Sequence, residues 1–302
     1  MVGLLSSIFE SFTQPRLVLQ YVPSMGNAIT DLTPVELTAF VTQYARALDS
    51  RWPRPILGDT LADEIVANID FDFDGLGVPA SAVRQTALRA KMLDNRVRDF
   101  VAEHPDAVVV DLGAGLGTAM QRVAPPATVD WYNVDLPNVI ALRDELVPVD
   151  YRAHSVAASL ADNGWTDQVP PDRPTMLVAD GLLAFLPESV IVNLFHHIPE
   201  YFRSGELAMN DYGHVSRLNI AAMKIVFSAV GTQWAYQGFN DARVPESWSS
   251  RLRLVEETSL SHAPEVDLYP PATRLATRLM GMTKSGARTA RILRYRFSNF
   301  EG

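Results

Sequence analysis

The chain has no cysteine in 302 residues. That excludes disulfides, thiolate nucleophiles and zinc or iron–sulfur sites built on thiolates. Basic residues are also few, with 26 Lys and Arg against 35 Asp and Glu and a formal net charge of −9. A nucleic-acid binder normally presents a basic face to the phosphates, so that class is excluded as well. No stretch reaches the ~18 uninterrupted apolar residues of a membrane-spanning helix. The apolar start, Met1 to Phe12, contains Glu10 and no basic stretch ahead of it. This predicts no secretory signal and a soluble, cytoplasmic protein. No repeat at periods of ~20–50 residues is visible. What is present is a globular composition, 47% hydrophobic, enough for one large domain or two modest ones.

The first hundred residues read as helical. Thr33-Pro34-Val35-Glu36 has the form of a helix start, with an N-cap hydroxyl, a proline at the first position and a glutamate three residues on. Leu37, Phe40, Val41, Tyr44 and Leu48 follow at helical spacing. A shorter helix is predicted from Asp59 to Ile69 and a long one from Ser81 to Glu103, whose stripe is Val83, Ala87, Ala90, Leu93, Val97 and Val101. After Pro105 short apolar runs alternate with helical ones. Strands are predicted at Ala107–Asp111, Val129–Val134, Thr175–Ala179 and Glu206–Asn210, and helices at Pro137–Leu146, Pro187–Phe202 and Ser216–Val230. That alternation predicts a parallel α/β sheet. Arg251–Leu260 and Arg291–Ser298 read as edge strands compatible with a final hairpin, and Pro264–Pro271 as a loop.

The sharpest motif is Asp111-Leu112-Gly113-Ala114-Gly115-Leu116-Gly117-Thr118, which closes a buried strand and opens a helix. Glycines there permit a tight turn and a close approach of ligand to backbone. The spacing is G-x-G-x-G, and Thr118 stands where a nicotinamide-type G-x-G-x-x-G loop has its last glycine. Asp135 ends the next strand about 20 residues on, where a doubly wound sheet places an acid for ribose hydroxyls. Taken alone, the loop is also compatible with a plain strand-to-helix turn, and Asp135 with a cap for the helix that starts at Pro137. Together they point to nucleoside binding, with S-adenosylmethionine favoured over NAD only by the glycine spacing.

Several stretches carry a family resemblance: Tyr44-Ala-Arg-Ala-Leu48, Ile69-Asp-Phe-Asp-Phe73, Arg89-Ala-Lys-Met-Leu-Asp94, Val110–Thr118, Trp131–Arg143, Ala158–Trp165 and Ala179-Asp-Gly-Leu-Leu-Ala-Phe-Leu186. In this order and combination the sequence resembles the leucine carboxyl methyltransferase superfamily, in its tetracenomycin-type polyketide O-methyltransferase branch. The resemblance implies a Rossmann-like class I methyltransferase sheet, mostly parallel with helices on both faces, and S-adenosylmethionine as cofactor. It implies an N-terminal helical lid over residues 1–104 and an α/β core over 105–302, with a substrate-side insertion near 212–250. It also implies roles. Arg89 pairs with the cofactor carboxylate, Asp111, Gly113, Ala114 and Gly115 form the loop under the cofactor, and Asp135 and Leu136 hold the ribose. Ser159 and Leu160 touch adenine, and Asp180 stands beside the methionine moiety, where the family usually has glutamate. Two departures stand out. The family commonly reads Gly-Leu-Asp-Thr-Arg in the loop and this chain has Gly115-Leu-Gly-Thr-Ala119, and Asp180 is one methylene shorter than glutamate.

On the acceptor side the residues are less explicit. Tyr212 and His214 follow a strand's carboxyl end and are the candidate catalytic pair, with His214 as a general base or an ordinary exposed histidine. Trp234 and Tyr236 belong to an aromatic stretch that lines a substrate pocket or simply packs in the core. His196 and His197 lie off the apolar face of their helix, and no spacing resembles a metal site. The expected activity is methyl transfer from S-adenosylmethionine to a hydroxyl or carboxyl of a small, polyketide-like or aromatic acceptor. Carboxyl methylation of a protein C-terminus and a catalytically idle cofactor-binding homologue are the alternatives, and the oligomeric state is left open.

Overall fold

The computed structural model describes residues 32–213, 231, 235–236 and 238–298. Its centre is a seven-stranded sheet in the order β3-β2-β1-β4-β5-β7-β6. The strands are β1 Val108–Leu112, β2 Asp130–Asp135, β3 Ala153–Ala157, β4 Thr175–Ala179, β5 Gly205–Asp211, β6 Leu252–Ser259 and β7 Arg291–Phe297. β1 to β5 run parallel, and β7 enters antiparallel between β5 and β6. The all-apolar run of β1 is explained by burial on both faces. Val108, Val110 and Leu112 point into one core with Leu177 and Leu207, while Val109 points into another with Met176 and Ala208.

Helices cover both faces. Helix α1 is Thr38–Ser50, α2 Thr60–Ala67, α3 Ala80–Glu103, α4 Ala119–Val123, α5 Pro137–Leu146 and α6 Glu188–Tyr201. The last buries Ile191, Leu194, Phe195 and Ile198 at helical spacing against the first core. Every residue of the stripe expected on α3 is buried. Leu88, Leu93 and Val97 of α3 share the second core with β1 and β4. The long helix is thus a layer of the α/β fold, and a boundary at residue 104 does not divide two cores. The segment Thr33–Thr42 leads into α1 and contributes Val35, Glu36, Thr38, Ala39 and Thr42 to the cleft described below. It is fixed by the reciprocal bond of Thr33 N–H to Glu36 Oε2 at 2.7 Å and Glu36 N–H to Thr33 Oγ1 at 3.4 Å. A residue of α1 reaches the sheet's carboxyl edge below.

Three expectations change. The final hairpin forms, but only β6 lies at the sheet edge, because β7 pairs on both sides. Strand β3 was not legible, since Ala153-His-Ser-Val-Ala157 has one large apolar residue and lies at the opposite edge. After Pro264 the chain is not a plain loop. A short 3₁₀ turn, Pro264–Leu268, precedes α7, Pro271–Gly281, and α8, Lys284–Ala287. The helix expected at 216–230 lies outside the described residues. No helix among the described residues is long and apolar enough to cross a membrane.

Candidate functional site

The chain leaves β1 for β2 and β3 on one side and returns to β4 and β5 on the other. A cleft therefore opens at the carboxyl ends of β1 and β4, the place where open α/β sheets bind ligands. It is lined by the glycine loop, Asp135, Leu136, Ser159, Leu160, Asp180 and, from above, Val35, Glu36, Ala39 and Arg46. Gly113 turns the loop with φ +67°, and a Cβ there would meet Leu182 Cδ1 at 2.8 Å. From beneath, the buried Arg143 donates one Nη1 to the carbonyls of Gly115 and Gly117 at 3.0 and 2.6 Å. The loop's shape is thus held by a cation that never reaches the cleft lining.

Asp135 accepts the Gly115 N–H at 2.7 Å on Oδ2 and the Leu136 N–H at 2.7 Å on Oδ1. Burial pushes this carboxyl above its usual range, and the two N–H groups work against that rise. Each oxygen retains acceptor capacity toward the cleft, since a carboxylate offers about four lone-pair sites. The acid both fixes the loop and lines the cleft.

The other wall is a cationic cluster around Asp180. Arg89 Nε donates to Asp180 Oδ1 at 2.6 Å, and Arg46 Nη2 to Asp180 Oδ2 at 2.7 Å. Arg89 Nη1 donates to the Tyr212 hydroxyl at 2.5 Å. Burial raises the Asp180 carboxyl, but Arg89 and Arg46 outweigh it and hold the group below its usual range. Burial likewise opposes the charge on Arg89, and Asp180 with Tyr212 more than restores it. Two cations share one carboxylate here, and Asp111 lies close enough to Arg46 to feel its charge. Arg89 Nη2 and Arg46 Nε are buried with no hydrogen-bond partner, a cost of about 1–3 kcal/mol for each unmet donor. Gly181, with φ +76°, makes room for Arg89, since a Cβ there would lie 2.7 Å from Nη2. Unmet guanidinium donors fit an anionic ligand group.

Asp111 lies behind the loop, and burial raises its carboxyl to about 6, against the pull of Arg143 and Arg46. Its folded pKa lies above the unfolded one, so its ionisation opposes folding. Stability falls as pH rises from about 4 to about 6, and the penalty persists above that window. Asp111→Asn is expected to raise stability at neutral pH by about 2 kcal/mol, with the gain gone below pH ~4. Urea unfolding at both pH values checks this. The same gain at both would contradict the cause assigned here.

Of the expected cofactor residues, Gly113, Ala114, Gly115, Asp135, Leu136, Ser159, Leu160 and Asp180 line one cleft. Arg89 joins through Asp180, and Asp111 lies behind the loop beside Arg46 and Asp180. Tyr212 is drawn in through Arg89. Tyr236 is not among the residues that line this cleft. It packs edge-on against Phe239 at 5.4 Å, and burial raises its phenol. His214 and Trp234 lie outside the described residues. His196 is exposed and His197 meets Thr166 at 3.0 Å. No metal-binding cluster occurs among the described residues.

Arg46 and Arg143 were missed by the sequence reading. Arg46 stood within a quoted stretch, but its partner lies 134 residues away, and no local spacing signals such a contact. The loop departures now have a physical setting. A Cβ at Gly117 would lie 2.9 Å from Arg46 Nη1, so the glycine leaves room for that guanidinium. Near Ala119, Arg122 supplies a cation from the next turn, bonded to Asp94 and Asp59, each at 2.7 Å.

A family model, leucine carboxyl methyltransferase, matches residues 39–199. The tetracenomycin polyketide synthesis O-methyltransferase TcmP of Streptomyces glaucescens is 34% identical over 273 residues, 90% of this chain and 100% of the relative. The S-adenosyl-L-methionine-dependent methyltransferase dpfgK of Gibberella zeae is 27% identical over 76% of this chain and 84% of its own. Among solved structures, a protein of Thermobifida fusca proposed to be a methyltransferase superposes with a TM-score of 0.51. It is 17% identical and is matched over 84% of this chain and 94% of its own.

Proposed function

The chain belongs to the leucine carboxyl methyltransferase family, and from that premise we propose that it methylates an oxygen of a small, polyketide-like or aromatic molecule. It is an S-adenosylmethionine-dependent methyltransferase of Rossmann-like fold. Support for an oxygen acceptor comes from the full-length match to a relative named as a polyketide O-methyltransferase.

One observation carries the reading of the cleft. It has a ribose-type acid, Asp135, at one end and Arg46, Asp180 and Gly181 at the other, with the unmet Nη2 donor of Arg89 packed behind Gly181. An elongated nucleoside with a carboxylate tail fits that polarity. Asp135 would hold the ribose hydroxyls, Ser159 and Leu160 would flank adenine, and Arg89 would take the carboxylate. The bound donor supplies a methyl group on a sulfonium. The chain's task is to orient the two reactants and keep water out, and the Thr33–Thr42 segment over the cleft does the latter. Tyr212, its oxygen fixed by Arg89, is the proposed orienting group, and His214 is the proposed base for a hydroxyl acceptor, with Trp234 as a wall. A carboxylate acceptor is already ionised at neutral pH and needs no base.

Transfer of labelled methyl from the donor to aromatic hydroxyl and carboxyl acceptors tests this. A hydroxyl acceptor should show a rate rising through pH ~6.5, and a carboxylate a flat profile. Label found on nitrogen or carbon instead would contradict it.

A further inference from the structure

Helix α1 crosses the glycine loop, and its contacts fix where it lies. Its start is held by Glu36 Oε2, which accepts the Thr33 N–H and the Thr33 hydroxyl, each at 2.7 Å. Above the loop, a Cβ at Gly115 would meet Ala39 Cβ at 3.4 Å, and one at Gly117 would lie 2.9 Å from Arg46 Nη1. The face that carries Phe40, Tyr44 and Ala47 is buried in an apolar cluster with Ile65 and Phe73. Turning Arg46 away from the cleft would break that packing.

Arg46 is the cation among the lining residues of the cleft, whereas Arg89 stands behind Gly181. Its guanidinium is only partly used. Nη2 holds Asp180 Oδ2 at 2.7 Å. Nε is buried without a hydrogen-bond partner, and Nη1 makes no hydrogen bond among the described residues. Asp94 and Asp111 feel its charge but are not bonded to it. The side chain is 8% exposed, so bulk water meets little of the demand. With glycine at 117, no side chain of the loop occupies Nη1. A guanidinium presents its donors as a planar fork, and the bond to Asp180 fixes the plane of that fork without exhausting it.

Resting on the S-adenosylmethionine reading, we infer that Arg46 is a second ligand for the carboxylate of the bound donor. Nη1 reaches the carboxylate from α1 while Nη2 stays on Asp180. The two oxygens of Asp180 already tie Arg46 to Arg89, so the carboxylate meets a pair of guanidinium groups held in a set relation. The acid end of the donor is thereby fastened to α1 as well as to the sheet, and Arg46 is a determinant of donor specificity.

Calorimetric titration of the full chain with S-adenosylmethionine and with its decarboxylated form, which lacks only the carboxylate, tests the inference. The wild type should prefer S-adenosylmethionine. Arg46→Gln should weaken S-adenosylmethionine about tenfold, the worth of one charge-assisted contact, and leave the decarboxylated form nearly unchanged. Arg46→Lys keeps a cation for Asp180, so its melting temperature should stay near that of the wild type. It should still lose most of the same tenfold, because one ammonium cannot serve Asp180 and the ligand as a planar fork does, and it decides alone if Arg46→Gln does not fold. Equal losses for both ligands in Arg46→Gln, or a wild-type preference in Arg46→Lys, would show that Arg46 acts only by holding Asp180 and would overturn the assignment. Absence of S-adenosylmethionine binding in the wild type would instead count against the cofactor reading itself.

Discussion

Arg89→Ala is expected to lower S-adenosylmethionine affinity about a hundredfold and to destabilise the fold by about 3–5 kcal/mol. The two losses have different causes. Stability falls because, among the described residues, Asp180 keeps Arg46 alone as a buried cationic partner and the bond from Arg89 to Tyr212 is lost. Affinity falls because the unmet Nη2 donor beside Gly181 disappears with the side chain. Adenosine, which lacks the carboxylate, separates them, since its affinity should change little. Arg89→Lys should recover part of the stability but little of the affinity, because an ammonium cannot serve Asp180, Tyr212 and a ligand in one plane. Equal losses for adenosine and for S-adenosylmethionine would show that Arg89 supports the cleft without touching the carboxylate.

Asp135→Ala should produce the opposite pattern. The loss is about two to four orders of magnitude in affinity, from two charge-assisted hydroxyl contacts of about 1.5–3 kcal/mol each. It should be the same for adenosine and for S-adenosylmethionine, because both carry the ribose. A modest drop in melting temperature accompanies it, since the Gly115 and Leu136 N–H groups lose their acceptor. Asp135→Asn, which keeps one acceptor oxygen, should fall between. If only the melting temperature moves, Asp135 is a cap for the loop and α5 and nothing more.

The sheet's centre was legible because β1, β4 and β5 are buried on both faces and leave uninterrupted apolar runs. The same logic hid β3, where one face is solvent and the run is broken by His154 and Ser155. The order of β7 and β6 was not legible either. Two antiparallel strands carry the same alternation whichever of them pairs with β5. At the site, the glycine loop and Asp135 were readable since their spacing is local. Arg46, Arg143 and the Arg122 bridge to Asp59 and Asp94 were not, because each acts across a long sequence separation. The role of Arg89 came from resemblance and not from its pattern. In the structure its partners are Asp180 and Tyr212, both far away in sequence.

These long-range pairs also bear on the loop's missing acid and base. Arg46 stands against Gly117 and reaches Asp180, so the shorter carboxylate is met by a second guanidinium. The loop backbone is held by Arg143 and Asp135. The loop's shape therefore does not depend on the two absent side chains.

Calorimetric titration of the full chain with S-adenosylmethionine, its demethylated product and NAD puts the central claim to its most direct test. The G-x-G-x-G loop, Asp135 and the unmet donors around Asp180 predict saturable binding of the first two and no heat from NAD. Saturable binding of NAD with none of S-adenosylmethionine would contradict the account.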